Sequence, residues 1–170
     1  MTRYRSKSVV LVGFMAAGKS TIGRLLARKL QFAFIDTDLE IEKSKGRTVA
    51  AIFQEHGESE FRRIEREMIT RILADDSQVI SIGGGAFADQ EMRDILCRRA
   101  ITIWLDTPFE VVGERLSKSD ARPLAAGKTP QDLRQLWQLR RPFYEQAEIH
   151  IHTGDAAPEA VVEQILKAIQ

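Results

Sequence analysis

Residues 13–21 read Gly-Phe-Met-Ala-Ala-Gly-Lys-Ser-Thr and follow directly on the apolar run Val9–Val12. The pattern G-x-x-x-x-G-K-S/T is the phosphate-binding P-loop, whose backbone N–H groups surround phosphate oxygens. Lys19 brings a positive charge to the phosphates, and the Ser20 hydroxyl is a ligand for Mg²⁺. Leucine and isoleucine recur at helical spacing after the loop, so the sequence predicts a helix over Lys19–Leu30 with its N-terminus at the anion. The stretch therefore predicts a nucleoside triphosphate site on an α/β fold.

The remaining sequence alternates short apolar runs with helical patterns, which predicts a mostly parallel sheet covered by helices on both faces. The predicted strands are Val9–Val12, 33–35, 79–82, 101–105 and Ile149–His152. The predicted helices are Lys19–Leu30, 38–45, 49–55, 58–74, 90–98, 108–116, 130–146 and 158–169.

Length and composition restrict the kind of protein. A chain of 170 residues, 44% of them hydrophobic, suits one globular domain. The net charge of +1 gives no overall field that would attract nucleic acid or an anionic membrane. No apolar run reaches the roughly 20 residues of a membrane span. The single cysteine, Cys97, suits a reducing compartment, and its apolar neighbours predict that it is buried. We expect a cytoplasmic monomer without nucleic acid or membrane partners.

Two acidic side chains follow the second predicted strand, in the sequence Asp36-Thr37-Asp38. The carboxyl ends of parallel strands meet at the ligand crevice, where the P-loop also lies. One carboxylate near Mg²⁺ and one accepting a proton from an alcohol would suit phosphoryl transfer. A helix N-cap is the alternative interpretation. Asp106 also ends a predicted strand, so it competes with Asp36 as the partner of the metal.

Three consecutive glycines, Gly83, Gly84 and Gly85, follow the third predicted strand. Residues without a Cβ allow a ligand to approach the backbone closely, although a tight turn alone would explain them. The spacing from Gly83 to Ala88 also matches the dinucleotide-binding pattern G-x-G-x-x-A, which stays open as an alternative.

The predicted helix 58–74 has an apolar face formed by Phe61, Ile64, Met68 and Ile72. Glu65 projects into this face, and Arg62 lies one turn away, within pairing distance. An acidic group on an apolar face is unfavourable unless it is paired. The pattern indicates either an ordinary surface pair or an arginine that Glu65 orients towards a carboxylate ligand.

Further arginines occur in two other segments. Arg140 and Arg141 lie near the end of a predicted helix, where they could interact with its dipole or bind an anion. Residues 117–130 are polar and rich in helix breakers, which is typical of a movable lid or a surface loop. Arg122 within this segment favours a lid, because a P-loop kinase uses a late-arriving cation over its phosphates.

Taken in order, G-F-M-A-A-G-K-S-T, D-T-D, G-E-S-E-F-R-R-I-E, V-I-S-I-G-G-G-A, A-R-P-L and R-R-P-F-Y resemble shikimate kinase over almost the whole chain. The resemblance implies a single P-loop NTPase domain that is similar to nucleoside monophosphate kinases. Its parts would be a five-stranded parallel sheet flanked by helices, a substrate-binding region at about 36–63 and a lid at about 117–127. It also implies magnesium-dependent transfer of the ATP γ-phosphoryl to the 3-hydroxyl of shikimate. That reaction gives shikimate 3-phosphate and ADP, in chorismate and aromatic amino-acid biosynthesis.

Matching motif positions extend the resemblance to individual residues. It implies that Lys19, Asp38 and Arg122 are catalytic and that Ser20 and Asp36 hold Mg²⁺. The implied ATP-binding residues are Ala16, Ala17, Gly18, Lys19, Ser20, Thr21, Arg115 and Arg122. The implied shikimate-binding residues are Asp38, Arg62, Gly83, Gly84, Gly85 and Arg140. The sequence departs from the family where many members have a second leucine after R-P-L, and residues 153–158 lack the basic residue that some members place against adenine.

Three other functions would use some of the same residues. A kinase for another small polyol acid such as gluconate is the nearest alternative, but it should lack the Arg62/Arg140 pair and the glycine turn. A GTPase-like switch would need a D-x-x-G loop, which the sequence does not contain. A nicotinamide oxidoreductase would be protected against heat by NAD rather than ATP.

Overall fold

Five short strands pair in parallel to form one sheet: β1 (Val9–Val12), β2 (Ala33–Asp36), β3 (Gln78–Ser81), β4 (Ile101–Asp106) and β5 (Ile149–His152). Their order across the sheet is β2-β3-β1-β4-β5. This computed structural model describes residues 7–118 and 127–170. The central strand β1 is buried along its whole length, as expected for a parallel sheet covered on both faces. Its carboxyl end leads into the P-loop at the middle of the sheet.

Seven helices pack on the two faces of the sheet in the described ranges: α1 (Lys19–Leu30), α2 (Thr37–Lys45), α3 (Val49–Ile72), α4 (Gln90–Arg99), α5 (Phe109–Ser117), α6 (Pro130–Tyr144) and α7 (Pro158–Ala168). Alternate residues of β1 point to opposite faces. Val10 and Val12 join a core with residues of α3, α4 and α6, whereas Val9 and Leu11 join a second core with α1 and α7. None of the helices that the structure describes is both long and apolar enough to span a membrane.

The predicted α/β fold with a five-stranded parallel sheet is confirmed, and the strand boundaries agree to within about one residue. Residues 49–55 and 58–74, predicted as two helices, form α3 with a break at Gly57. The φ of 80° and ψ of 174° at Gly57 are accessible essentially to glycine alone. Thr48 caps the start of α3 by accepting a hydrogen bond from the Ala51 N–H at 3.1 Å. The break separates the helix that contains Phe53 from the helix that contains Arg62.

The prediction that Cys97 is buried is wrong, because its side chain is exposed. The buried residues of α4 are Met92, Arg93 and Leu96. The next residue is rotated by about 100° from Leu96 and points towards solvent. Cys97 lies one turn after the buried Arg93, so neither helical phase nor its apolar neighbours in the sequence decide its exposure.

Candidate active site

The P-loop joins β1 to α1 with a backbone arranged around the N-terminus of the helix. Gly18, directly before α1, has a φ of 92°, which lies in the left-handed region that favours glycine. The Lys19 Nζ donates hydrogen bonds of 2.9 Å to the carbonyl oxygens of Gly13 and Phe14. The lysine thus folds back over its own loop, and its ammonium group lies where the loop would surround a phosphate.

A cavity of about 360 Å³ adjoins the loop, and its lining includes Ala16, Ala17, Gly18, Thr21, Arg115, Thr153 and Pro158. Arg115 is fixed at this edge because its Nη1 donates to the Ala16 carbonyl oxygen at 3.0 Å. The structure therefore brings Arg115 to the P-loop from a helix about 100 residues further along the chain. Five of the residues predicted to bind ATP therefore line one cavity: Ala16, Ala17, Gly18, Thr21 and Arg115. Lys19 and Ser20 are not among its lining residues.

Asp36 contacts both the P-loop helix and the start of α2. Its Oδ2 accepts a 2.7 Å hydrogen bond from the Ser20 hydroxyl, and its Oδ1 accepts from the backbone N–H groups of Asp38 and Leu39. Of the two aspartates, Asp36 is therefore the one that caps α2, and it does so through Oδ1. Its other carboxylate oxygen, Oδ2, contacts Ser20. A hydroxyl and a carboxylate oxygen are hard ligands of the kind Mg²⁺ prefers when it is shared with nucleotide phosphates. Within residues 7–118 and 127–170, no group of three or more His, Cys, Asp or Glu could hold a metal by itself.

Asp106, the rival metal partner, is engaged elsewhere. Its carboxylate accepts hydrogen bonds from Arg141 at 3.0 and 3.4 Å, and His152 Nδ1 lies 3.4 Å away. The Arg141 guanidinium also lies near the rings of Trp104 and Trp137, at 4.9 and 5.3 Å from their centroids. Of the two adjacent arginines, Arg141 thus secures α6 to β4.

A second cavity, of about 230 Å³, lies between α3, α6 and the glycine turn after β3. All six predicted acceptor residues line it: Asp38, Arg62, Gly83, Gly84, Gly85 and Arg140. The lining also includes residues that the sequence did not single out for a site: Met15, Val49, Phe53, Glu58, Lys128 and Leu136. The cavity combines an apolar wall with charges of both signs, which suits a small, hydroxylated and acidic molecule.

Arg62 is oriented by carboxylates and aromatic rings. Its Nη1 donates to Glu65 Oε2 at 2.6 Å, and its Nη2 donates to Glu58 Oε1 at 3.4 Å. Its guanidinium carbon lies 5.4 Å from the centroid of the Phe61 ring. The Glu65 side chain is only 3% exposed, and burial raises the pKa of its carboxyl to about 7 although Arg62 acts in the opposite direction. Glu65 is therefore buried and Arg62, with 27% of its side chain exposed, is partly buried, so the surface-pair interpretation does not apply.

Two unpaired carboxylate oxygens face the glycine turn. Glu65 Oε1 and Asp38 Oδ1 are buried and have no hydrogen-bond partner in the described part of the chain. A Cβ on Gly83 would lie 2.7 Å from the first oxygen and 3.4 Å from the second. Burial, and secondarily the neighbouring Asp36, raises the pKa of Asp38 above its usual value. Unpaired acceptors at this place suit the hydroxyl groups of a ligand.

The other two glycines are also required by close approach. A Cβ on Gly84 would lie 2.8 Å from Tyr144 Oη, and a Cβ on Gly85 would overlap the guanidinium of Arg62. After Gly85 the chain forms a short 3₁₀ turn, Ala86–Ala88, where a dinucleotide fold would begin an α-helix. This geometry favours an acceptor cavity over the dinucleotide-binding alternative.

The predicted Arg122 lies outside the described residues, as does most of the predicted lid. The aromatic wall residue Phe53 follows Val49 at helical spacing, so periodicity could have placed it with the site. Lys128 and Leu136 gave no such signal, because nothing in their local sequence distinguishes them from ordinary surface and core residues.

Comparison with known proteins gives one family. The shikimate kinase family model matches residues 15–170. Shikimate kinase from Persephonella marina is 44% identical over 164 residues, covering 96% of this chain and 99% of the relative. Shikimate kinase from Caulobacter vibrioides is 42% identical over 167 residues, covering 98% of this chain and 84% of the relative.

Solved structures give the same result. Shikimate kinase from Acinetobacter baumannii in complex with shikimate superposes with a TM-score of 0.91 at 36% identity, covering 96% of this chain and 92% of that one. The enzyme from Aquifex aeolicus gives 0.85 at 37% identity, with 95% of each chain covered. A gluconokinase from Sinorhizobium meliloti gives 0.67 at 18% identity, covering 98% of this chain and 93% of that one, a likeness of fold alone.

Proposed function

Because the chain belongs to the shikimate kinase family, we propose that it transfers the γ-phosphoryl group of ATP to the 3-hydroxyl of shikimate. The products are shikimate 3-phosphate and ADP, and the reaction belongs to aromatic amino-acid biosynthesis. The observation that best supports the proposal is the 230 Å³ cavity, in which Arg62 and Arg140 accompany the carboxylates of Asp38 and Glu65. Two arginines match the carboxylate of the acceptor, and carboxylate oxygens match its hydroxyl groups.

Arg62 and Arg140 are proposed to bind the shikimate carboxylate from two sides. Arg62 is suited to this role because its 2.6 Å hydrogen bond to Glu65 orients the guanidinium before the ligand arrives. The glycines of the turn leave room for the ring of shikimate beside the backbone. Asp38 is proposed to accept hydrogen bonds from the shikimate hydroxyls through its unpaired Oδ1.

Asp38 is also the proposed general base. As the 3-hydroxyl oxygen forms its bond to the γ-phosphorus, the bond from that phosphorus to the β,γ-bridging oxygen breaks and ADP leaves. The hydroxyl proton passes to the Asp38 carboxylate, whose pKa is raised mainly by burial, so it is a better proton acceptor than an exposed aspartate. Lys19 is proposed to neutralise the charge that develops on the transferred group.

Ser20 and Asp36 are the residues proposed to hold Mg²⁺, and their oxygens fit the ion. When bound, Mg²⁺ would supply charge neutralisation at the phosphate oxygens. The P-loop backbone from Ala16 to Thr21 is proposed to bind the phosphates, with Arg115 against the base. The proposals for Arg122 on the phosphates, for the lid at 117–127 and for the substrate-binding region at 36–63 rest on the resemblance. A monomeric state and a cytoplasmic location stay predictions.

An acceptor-competition assay tests the function. ADP release by the purified enzyme is followed by a coupled assay with shikimate, quinate and gluconate at equal concentrations. We expect saturable turnover with shikimate, with a kcat/KM at least about 100-fold higher than with gluconate. Gluconate lacks the rigid ring, so it cannot pair with the charged groups of the site as well as shikimate does. Faster turnover with gluconate would replace the proposal by the alternative kinase.

A further inference from the structure

Tyr144, the last residue of α6, joins the acceptor cavity to the helix behind it. Its side chain is only 2% exposed. Tyr144 ends the R-R-P-F-Y stretch, but that motif gave it no role in the site. Its hydroxyl donates a 2.8 Å hydrogen bond to the carbonyl oxygen of Gly84. Tyr144 also lies one helical turn after Arg140, so the two side chains project from the same face of α6.

Gly84 is surrounded by three groups with different roles. A Cβ at this position would lie 2.8 Å from Tyr144 Oη, 3.2 Å from Arg140 Nη1 and 3.2 Å from the carbonyl oxygen of Gly13. The same Gly13 carbonyl accepts the hydrogen bond from Lys19. Gly84 thus lies between the acceptor arginine and the P-loop, and the Tyr144 hydroxyl lies beside it.

The hydrogen bond from Tyr144 fixes a whole peptide plane. The Gly84 carbonyl belongs to the peptide that joins Gly84 to Gly85, and a trans peptide is planar with its N–H opposite its carbonyl. Holding the carbonyl towards α6 therefore directs the Gly85 N–H away from α6. The Ala86 N–H closes the turn by donating to the Gly83 carbonyl oxygen at 3.1 Å. A turn of this kind can hold its middle peptide in either of two orientations, and glycines permit both, so the contact with Tyr144 selects one.

The phenol is suited to act as a permanent donor. Burial raises the pKa of Tyr144 to about 12, against the opposing influence of the Arg140 charge, so the hydroxyl keeps its proton at neutral pH. Its ring packs beside the Trp104 ring, with centroids 6.3 Å apart. Both the ring position and the protonation state are therefore set by the core.

We propose that Tyr144 is a positioning residue of the acceptor site, whose hydroxyl holds the Gly84–Gly85 peptide and the adjacent Arg140 in the arrangement that binds shikimate. This inference rests on the proposed function. Tyr144 acts through Gly84 and Arg140, which line the acceptor cavity and do not line the nucleotide cavity, so its contribution concerns the acceptor and not ATP.

The test is the variant Tyr144→Phe, which removes the hydroxyl and keeps the ring. We expect the KM for shikimate to rise about ten-fold, because a carbonyl that loses its donor no longer holds the turn. The KM for ATP should change less than about two-fold, since the groups around the nucleotide are untouched. The Kd for shikimate, measured by calorimetry without ATP, should rise by the same factor as its KM.

Thr102→Val is the matched control. Thr102 is fully buried at the far end of β4, and its Oγ1 accepts a 3.0 Å hydrogen bond from the Glu148 N–H. Valine removes a buried hydroxyl bonded to the backbone, as in Tyr144→Phe, but away from the site. Thr102→Val should lower the melting temperature and leave the KM for shikimate within about two-fold of the wild type.

Tyr144→Phe with an unchanged KM and Kd for shikimate would overturn the inference while the proposed function stands. No turnover of shikimate by the wild-type enzyme would instead overturn the proposed function. If Tyr144→Phe does not fold, ¹⁹F NMR replaces it. The chain has only two tyrosines, Tyr4 and Tyr144, so the variant Tyr4→Phe labelled with 3-fluorotyrosine gives one resonance, from Tyr144. Shikimate should shift this resonance, and a resonance that does not move at saturating shikimate would contradict a positioning role.

Discussion

At the scale of single residues, the acceptor site depends on charges that are buried next to one another. Arg62 is held by Glu65 at 2.6 Å, and Glu65 in turn has one oxygen without a partner in the described chain. A buried charge is tolerated only when it is paired, so removing either member leaves the other unfavourable. These two side chains therefore affect both substrate binding and stability.

The variant Arg62→Ala tests the proposed contact with the substrate. We expect the KM for shikimate to rise at least about 30-fold, since truncating one partner of a buried charge pair costs 2–5 kcal/mol. The KM for ATP should stay within about three-fold. Arg66→Ala on the same helix is the control, because Arg66 pairs at the surface with Asp89 and Glu91. Equal effects of the two variants on shikimate would contradict the account.

The titration of Glu65 predicts a dependence of stability on pH. Its pKa is raised from 4.5 to about 7 in the folded protein, mainly by burial, so the folded state binds the proton more tightly than the unfolded state. The resulting stabilisation is fully present below pH 4.5 and is lost as the pH rises through about 7. Glutamine does not titrate, so the variant Glu65→Gln does not lose stability in this way. Its free energy of unfolding, relative to that of the wild type, should therefore increase by up to about 3 kcal/mol between pH 4.5 and 8.

Urea unfolding at both pH values measures that difference. Glu67→Gln, at an exposed position of the same helix, should show no such increase. A difference between Glu65→Gln and the wild type that stays constant with pH would contradict a buried carboxyl that titrates near neutrality.

At the scale of elements, helical spacing predicted which residues of α3 face the core, and the glycine at the break gave the division of the helix. What spacing could not provide is the contact between distant elements. Nothing in the sequence around Lys128 or Tyr144 shows that α6 lies against the turn after β3. The prediction for Cys97 failed in another way, because its neighbours in the sequence are apolar although its side chain is exposed.

The break in α3 predicts the effect of Gly57→Ala. No atom lies within 4 Å of the Cβ that would be added, so the cost is one of backbone conformation. A φ of 80° with a ψ of 174° should make the substitution destabilising by about 1–3 kcal/mol in denaturant unfolding.

Gly113→Ala is the control, and its expected effect on stability is opposite to that of Gly57→Ala. Gly113 lies inside α5, where the added Cβ would meet only Phe109 at 3.9 Å. Alanine should stabilise this helix by about 0.5–1 kcal/mol. Destabilisation by Gly113→Ala, together with a neutral Gly57→Ala, would mean that the backbone at the break differs from the one described.

At the scale of the whole molecule, the order β2-β3-β1 places three loops side by side at the carboxyl edge of the sheet. These loops contain Asp36 and Asp38, the glycine turn and the P-loop. Parallel strands alone predict that such loops share an edge, but the strand order that makes them neighbours cannot be derived from spacing. The resemblance of the motifs to a known family implied the five parallel strands, and the order itself was not predicted.

The two cavities predict how ligands stabilise the protein. ATP with Mg²⁺ at about 100 times its Kd should add about 2.7 kcal/mol, which corresponds to a rise in melting temperature of roughly 5–10 °C. Shikimate should add a further rise, and NAD at the same concentration should add none. Stabilisation by NAD comparable with that by ATP would favour the dinucleotide-binding alternative.

The central claim is that the two cavities form one phosphoryl-transfer site for shikimate. The most direct measurement follows the radioactive γ-phosphorus of ATP in the presence of shikimate and Mg²⁺, with the products separated by anion-exchange chromatography. We predict that the label appears in shikimate 3-phosphate in equal amount to the ADP formed, and that Lys19→Ala abolishes the transfer. Label that appears only as orthophosphate, at a rate independent of shikimate, would contradict the account.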